Sequence, residues 1–241
     1  MADKQEFRER IWRLLEDRKV ARFPGAQGRI PNFMGAEAAA ERLAKLEEWR
    51  RVAVLKANPD SPQLPVRTRA LQDGKVVFMA VPKLAEPRPF VRLDPSRISG
   101  NLRTAASIKG AMKAGHPVLF GQMRRIDLVV CGTVAVNRSG VRIGKGGGYS
   151  DLEFGLLTEA GLVHDETVIA TTVHDLQVVD EDLPDTDHDF RVDIIVTPNT
   201  VIRTGASPRQ RPIGIMWSHL DPDKIGAVPV LAKLDKDRAS T

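Results

Sequence analysis

Five short, β-branched and nearly continuous apolar runs constrain this chain more than anything else in it: residues 52–55, 76–81, 128–130, 167–173 and 192–197. A run with no polar alternation suits a strand buried on both faces rather than one facing water. Between several of them lie segments that can be helical, such as 67–72 and 152–160. Strands separated by helices imply crossover connections and a parallel sheet. The first 50 residues read differently. Phe7, Ile11, Leu14 and Leu15 form one helical stripe, Pro24, Gly25 and Gly28 interrupt it, and Ala36, Ala39, Leu43 and Leu46 resume it. The expectation is a single α/β domain over 1–241, with a helical segment at 1–50 and a tail at 220–241. The Pro-rich stretches 58–65 and 81–95 follow candidate strands. They are expected to be loops and, by position, walls of a ligand crevice beyond the strand ends.

Arg142-Ile143-Gly144-Lys145-Gly146-Gly147-Gly148-Tyr149-Ser150-Asp151 joins an apolar run to a predicted helix. Glycine at four of five successive positions weakens either regular element, so the segment calls for backbone freedom. Successive amides there can form an anion nest, and the helix start adds the positive end of its dipole. Lys145 can neutralise phosphate charge. Asp151 can cap the helix or offer a carboxylate to a metal bridging the phosphates. Neither the P-loop nor the dinucleotide fingerprint fits this spacing. A surface hairpin is the competing reading.

Charge is polarised along the chain. Residues 1–120 hold 23 Lys and Arg against 13 Asp and Glu, and residues 121–241 hold 13 against 18. A basic half attracts nucleic acid, a nucleotide or a polycarboxylate through the same field. With 5% aromatics and one tyrosine, a single-strand surface of interleaved aromatics is thin, and nucleic-acid binding is not favoured as the main function. No apolar stretch approaches the roughly 18 residues that span a bilayer. The start MADKQEFRER shows no secretory h-region, so a cytoplasmic protein is expected. One cysteine and five histidines without zinc-site spacing leave only hard cations on carboxylates as candidate metals.

The stretch DLVVCGTVAVNRSGVRIGKGGGYSD (127–151) resembles the 5-formyltetrahydrofolate cyclo-ligase, or methenyltetrahydrofolate synthetase, family: an apolar strand, a turn, then R-x-G-[KR]-G-x-G-[YF]-x-D. Further blocks agree: Gly74-Lys75 with Pro82, His174-Asp175-Leu176-Gln177, Leu183-Pro184, His188-Asp189, and Val192-Asp193-Ile194-Ile195-Val196-Thr197. Arg29-Ile30-Pro31-Asn32-Phe33, Lys56-Ala57-Asn58-Pro59-Asp60 and Ile213-Gly214-Ile215-Met216-Trp217 are similar to the methenyltetrahydrofolate synthase domain-containing branch. The resemblance implies a three-layer α/β/α fold with a mostly parallel sheet, of the NagB/RpiA/CoA-transferase kind. It also implies ATP and Mg²⁺. MgATP phosphorylates the formyl oxygen of 5-formyltetrahydrofolate, nitrogen 10 attacks the activated carbon, and phosphate leaves to give 5,10-methenyltetrahydrofolate. Carried over by position, Lys145 and Arg142 are the catalytic cations. Lys4, Arg8, Gly144, Lys145, Gly146, Gly147, Gly148 and Tyr149 meet the nucleotide, and Asp151 and Asp189 stand at the metal. Commoner members have two aromatics before the Asp where this chain has Tyr149-Ser150, so one surface for a pterin is absent. Two alternatives follow: an ATP-dependent enzyme for another carbonyl or amide substrate, and a non-catalytic RNA- or nucleotide-binding module.

The remaining candidates have plainer readings. The run 180–189 carries six carboxylates in ten residues, a density usual in solvated loops, and only Asp189 is put forward from it. In a strand His174-Asp175 and His188-Asp189 would point to opposite faces, forming no His–Asp pair. Arg88, Arg92, Arg97 and Arg103 could meet the glutamate of a folate, or be solvated. Cys131 and Trp217 read as packing residues.

Overall fold

The computed structural model describes residues 3–239. Its strands are β1 (Val54–Ala57), β2 (Val76–Ala80), β3 (Phe90–Leu93), β4 (His116–Val118), β5 (Leu128–Cys131), β6 (Ala135–Asn137), β7 (Arg142–Ile143), β8 (Val168–Thr172), β9 (Val178–Val179), β10 (Ile194–Val196) and β11 (Val201–Arg203). The helices are α1 (Lys4–Asp17), α2 (Ala36–Ala44), α3 (Glu47–Arg51), α4 (Leu64–Gln72), α5 (Leu102–Ala106), α6 (Ile108–Ala114), α7 (Tyr149–Glu159), α8 (Pro222–Ala227) and α9 (Pro229–Ala239).

Each of the five apolar runs overlaps a strand of one large sheet, ordered β11-β10-β8-β5-β1-β2-β3-β4. The five strands from the runs, β10 through β2 in that order, are mutually parallel. The strands the apolar pattern missed lie at the margins. β3 and β11 run antiparallel to their inner neighbours, and β4 is antiparallel to β3. Edge position accounts for their mixed composition, including Pro117 in β4, where a missing donor is tolerated. The stretch 81–95 is therefore not loop throughout, since it holds β3.

Alternation along each strand divides the core in two. Leu55, Ala57, Val77, Met79, Leu128 and Val130 face α2, α4 and α6. Val54, Phe78, Ala80, Val129, Cys131 and Ile169 face α7 and α9. The result is the three-layer α/β/α arrangement, mostly parallel, with strands covered on both sides. Fully burying one such Leu or Phe contributes about 1.5–3 kcal/mol. A second sheet, β7-β6-β9, packs with α1 in a separate cluster around Phe7, Ile11, Trp12 and Ile143. Asp3 and Glu6 form a capping box that starts α1, an arrangement contributing about 1 kcal/mol.

Residues 222–239, expected only as a tail, form α8 and α9, and Val228 and Leu231 are fully buried against the α7 side of the sheet. Their few apolar residues are spaced by Lys and Asp, which hid them. Among the described residues no helix is long and apolar enough to cross a membrane.

Candidate functional site

Chain order places the site. From β1 the chain moves outward to β2 on one side, while β5 lies on the other side of β1 and leads away to β8. Loops leaving β1, β2 and β5 at their carboxyl ends diverge and leave a crevice, the usual ligand position in an open α/β sheet. A cavity of about 380 Å³ occupies it. Asn58, Pro59 and Asp60 follow β1, Val81, Pro82 and Lys83 follow β2, and Gly132 follows β5; all line it, with most of the glycine segment opposite. Both Pro-rich stretches are thus site walls at their first residues.

The glycine segment is not a hairpin tip. The hairpin turn is earlier, between β6 and β7, closed by the bonds of Asn137 with Gly140 and Val141. Gly144 to Gly148 instead join β7 to α7. Gly146 and Gly148 have φ of +104° and +64°, the region glycine enters without penalty. Gly148 is the N-cap of α7 and provides no side-chain cap. Asp151 therefore does not cap the helix but sits in its first turn. Among the described residues, no protein acceptor meets any backbone N–H from residue 144 to residue 151. Amides left over at a helix start normally find side chains, water or a ligand. A run of them at the positive end of an eleven-residue helix is suited to an anion.

The expected cations gather around this loop. Arg8 Nε donates to Gly144 O at 2.7 Å. Burial lowers its pKa, with Asp3 and Asp189 pulling the other way. Lys4, one turn earlier, pairs with Asp189. Burial alone would raise the Asp189 carboxyl, but Lys4 and Thr186 as donors outweigh it and hold its pKa below the ordinary value. Lys145 Nζ lies 3.0 Å from Asp60 Oδ1, on a side chain 46% exposed. Arg142 is buried, paired with Asp151, with its guanidinium carbon 4.0 Å from the Phe190 ring centroid. Burial would lower its pKa, yet Asp151 and Asp189 overcome that and raise it. Arg142 is thus a fixed support for Asp151, while Lys145 is the exposed cation.

Sequence reasoning missed two features and saw a third, Ser150, only as the absence of an aromatic. Lys56 on β1 and Glu153 on α7 form a buried ion pair at 2.5 Å, with side chains 2% and 5% exposed, beside Asn58. Burial pushes the Glu153 carboxyl up, with Lys56 opposing. Glu153 and Asn58 line the cavity. Arg67 on α4 is fully buried and donates to the carbonyls of Asn58, Pro59, Asp60 and Ala106, fixing the loop after β1. Its pKa falls to about 10 through burial. Ser150 Oγ is buried without a hydrogen-bond partner. Only Ser150 and the block 56–60 stood out in advance, neither of them as part of this arrangement.

Other candidates fall elsewhere. None of Arg88, Arg92, Arg97 and Arg103 lines the cavity. Arg97 is near Asp94 and Arg103 near Glu37. His188-Asp189 lies in a turn rather than a strand, so His188 Nε2 comes within 3.9 Å of Asp189 Oδ1. Cys131 is fully buried, and Trp217 packs under Arg238. No group of three or more His, Cys, Asp or Glu that could hold a metal occurs among the described residues. Asp151 and Asp189 both act on the buried Arg142 guanidinium, and they offer the hard oxygen donors that magnesium takes.

Parallel strands covered on both faces, with a crevice at the carboxyl ends and an uncapped helix start lining it, define an open α/β protein with a cavity in the usual ligand position. Residues 1–198 match the 5-formyltetrahydrofolate cyclo-ligase family, and the chain belongs to it. The family is one of ring-closing ligases. The chain is 40% identical over 237 residues to the mouse methenyltetrahydrofolate synthase domain-containing protein, covering 96% of this chain and 63% of that one. It is 39% identical over 237 residues to the cattle protein of the same description, covering 96% and 61%. The chain thus spans under two thirds of these relatives. A solved 5,10-methenyltetrahydrofolate synthetase of Aquifex aeolicus shares the fold, with a TM-score of 0.55 and 19% identity over 90% of this chain and 99% of that one.

Proposed function

We propose that this chain catalyses the ATP-dependent closure of 5-formyltetrahydrofolate to 5,10-methenyltetrahydrofolate, with release of ADP and phosphate. The observation that carries the reading is the run of amides at 144–151 with no protein acceptor among the described residues, in a segment most of which lines the same cavity as the loops after β1 and β2. Bound MgATP would supply the phosphoryl group that activates the formyl oxygen. Transfer of this kind relies on positioning and charge neutralisation rather than on covalent work by the protein. The loop amides and the start of α7 hold the phosphate oxygens. Lys145 turns from Asp60 to neutralise developing charge, and Lys4 and Arg8 flank the loop. Arg142 keeps Asp151 in place, and Asp151 and Asp189 are the carboxylates for magnesium. The folate occupies the rest of the cavity, whose size falls in the usual range for a small-molecule site. Mixing protein, 5-formyltetrahydrofolate and MgATP should give the near-ultraviolet absorbance of methenyltetrahydrofolate, with none when ATP is omitted. Absence of that rise with ATP demonstrably bound would overturn the folate assignment.

One observation favours a second reading, a different carbonyl or amide substrate with the same nucleotide. Ser150 and Glu153 both line the cavity, and the buried Ser150 Oγ has no hydrogen-bond partner among the described residues. Stimulated ATP hydrolysis across a metabolite panel separates the two. Stimulation by 5-formyltetrahydrofolate alone removes the second.

A further inference from the structure

The glycine loop is held from outside by two cations, and one comes from a part of the chain beyond the 198 residues that match the family. Lys224 Nζ, on α8, donates to Gly147 O at 2.5 Å and lies 4.6 Å from the centroid of the Tyr149 ring. It is so close to the turn that a Cβ on Gly148 would come within 3.0 Å of it. Burial lowers the Lys224 pKa, with Asp151 pulling against that. The helix bearing it is tethered, because Val228 and Leu231 directly beyond it are fully buried.

In a trans peptide the C=O and the following N–H point in opposite directions. A cation drawing the Gly147 carbonyl to one side turns the Gly148 N–H to the other. Arg8 does the same three peptide groups earlier in the loop, holding the Gly144 carbonyl and turning the Lys145 N–H away. The two contacts together orient amides that have no protein acceptor.

We propose that Lys224 is a positioning residue for the anion site: it sets the direction of the Gly147–Gly148 peptide, so that the Gly148 amide is presented to a bound polyphosphate before the ligand arrives. The inference rests on the anion reading of the loop. Presenting donors in advance removes an ordering cost that binding would otherwise carry.

The test is calorimetric titration of MgATP into the parent protein, Lys224→Met and Lys224→Arg, with thermal unfolding of each. Methionine keeps the stem against Tyr149 but cannot donate, and arginine can. Lys224→Met should bind MgATP at least about tenfold more weakly, a loss of ~1.4 kcal/mol. Lys224→Arg should recover most of the affinity, and all three should unfold at similar temperatures. Parent-like binding by Lys224→Met overturns the role of Lys224 and leaves the anion site standing. Equal weakening in both variants with a lowered unfolding temperature also overturns it, in favour of simple packing. Failure of the parent to bind MgATP overturns the anion site and this inference together.

Discussion

The two sides of the cavity are built on opposite principles. The glycine loop presents backbone donors without protein partners among the described residues, near cations whose side-chain exposure runs from 2% at Arg142 to 46% at Lys145. One turn into α7, the floor presents Glu153 already matched by buried Lys56 at 2.5 Å, with the loop after β1 pinned by buried Arg67. An open set of donors waits for charge from outside, whereas a closed pair admits only a ligand that leaves it intact. Under the proposed function, the loop side meets the anion and the side with the closed pair sets the shape.

The floor should be the costlier side to disturb. Lys56→Met leaves the Glu153 carboxylate buried and uncompensated, and is expected to lower stability by about 3–5 kcal/mol in urea unfolding. Lys56→Met with Glu153→Leu should recover most of that, since an apolar pair of similar volume is often neutral or better. A double variant as unstable as the single one would show that the pair is not a closed unit.

The loop side should lose rate more than stability. Lys145→Ala and Asp151→Asn are each expected to reduce turnover at least about tenfold, ~1.4 kcal/mol in barrier. They differ in stability: Lys145 is exposed and should unfold like the parent, whereas Asp151→Asn removes the partner of buried Arg142 and should unfold earlier. Full activity in both would remove these residues from the site.

The loop was legible in advance, and the floor was not, for a physical reason. A phosphate cradle needs consecutive backbone freedom, so its glycines and its lysine stand together in the sequence. The floor is assembled from β1, α4 and α7, and nothing local marks Lys56, Arg67 and Glu153 as neighbours. The same logic divides the fold. Doubly buried parallel strands read as apolar runs, while β3, β4 and β11 at the margins, and the helices at 222–239, carry mixed compositions that match no single period.

Acid stability distinguishes the flank of the loop. The Asp189 pKa is depressed in the folded state by Lys4 and Thr186. Its contribution is therefore present above the unfolded carboxylate value and is lost as pH falls below about 4 toward the folded one. Asp189→Asn should flatten that part of a stability profile. An unchanged slope would mean that the Lys4 contact is absent in solution.

Ser150 gives the smallest expected change. Its buried hydroxyl has no partner, so Ser150→Ala should be neutral or stabilising by up to about 1 kcal/mol in unfolding. A KM for the second substrate that rises in this variant would assign the hydroxyl to substrate recognition. An unchanged KM would leave it a tolerated small residue.

Under the proposed function the amides of 144–151 receive phosphate, and their nitrogen–hydrogen resonances report on it. Adding MgATP to ¹⁵N-labelled protein should move the signals of Gly146, Gly147, Gly148 and Tyr149 furthest, with the strands beneath nearly unchanged. Saturating MgATP that leaves those signals in place, or moves a different surface instead, would contradict it.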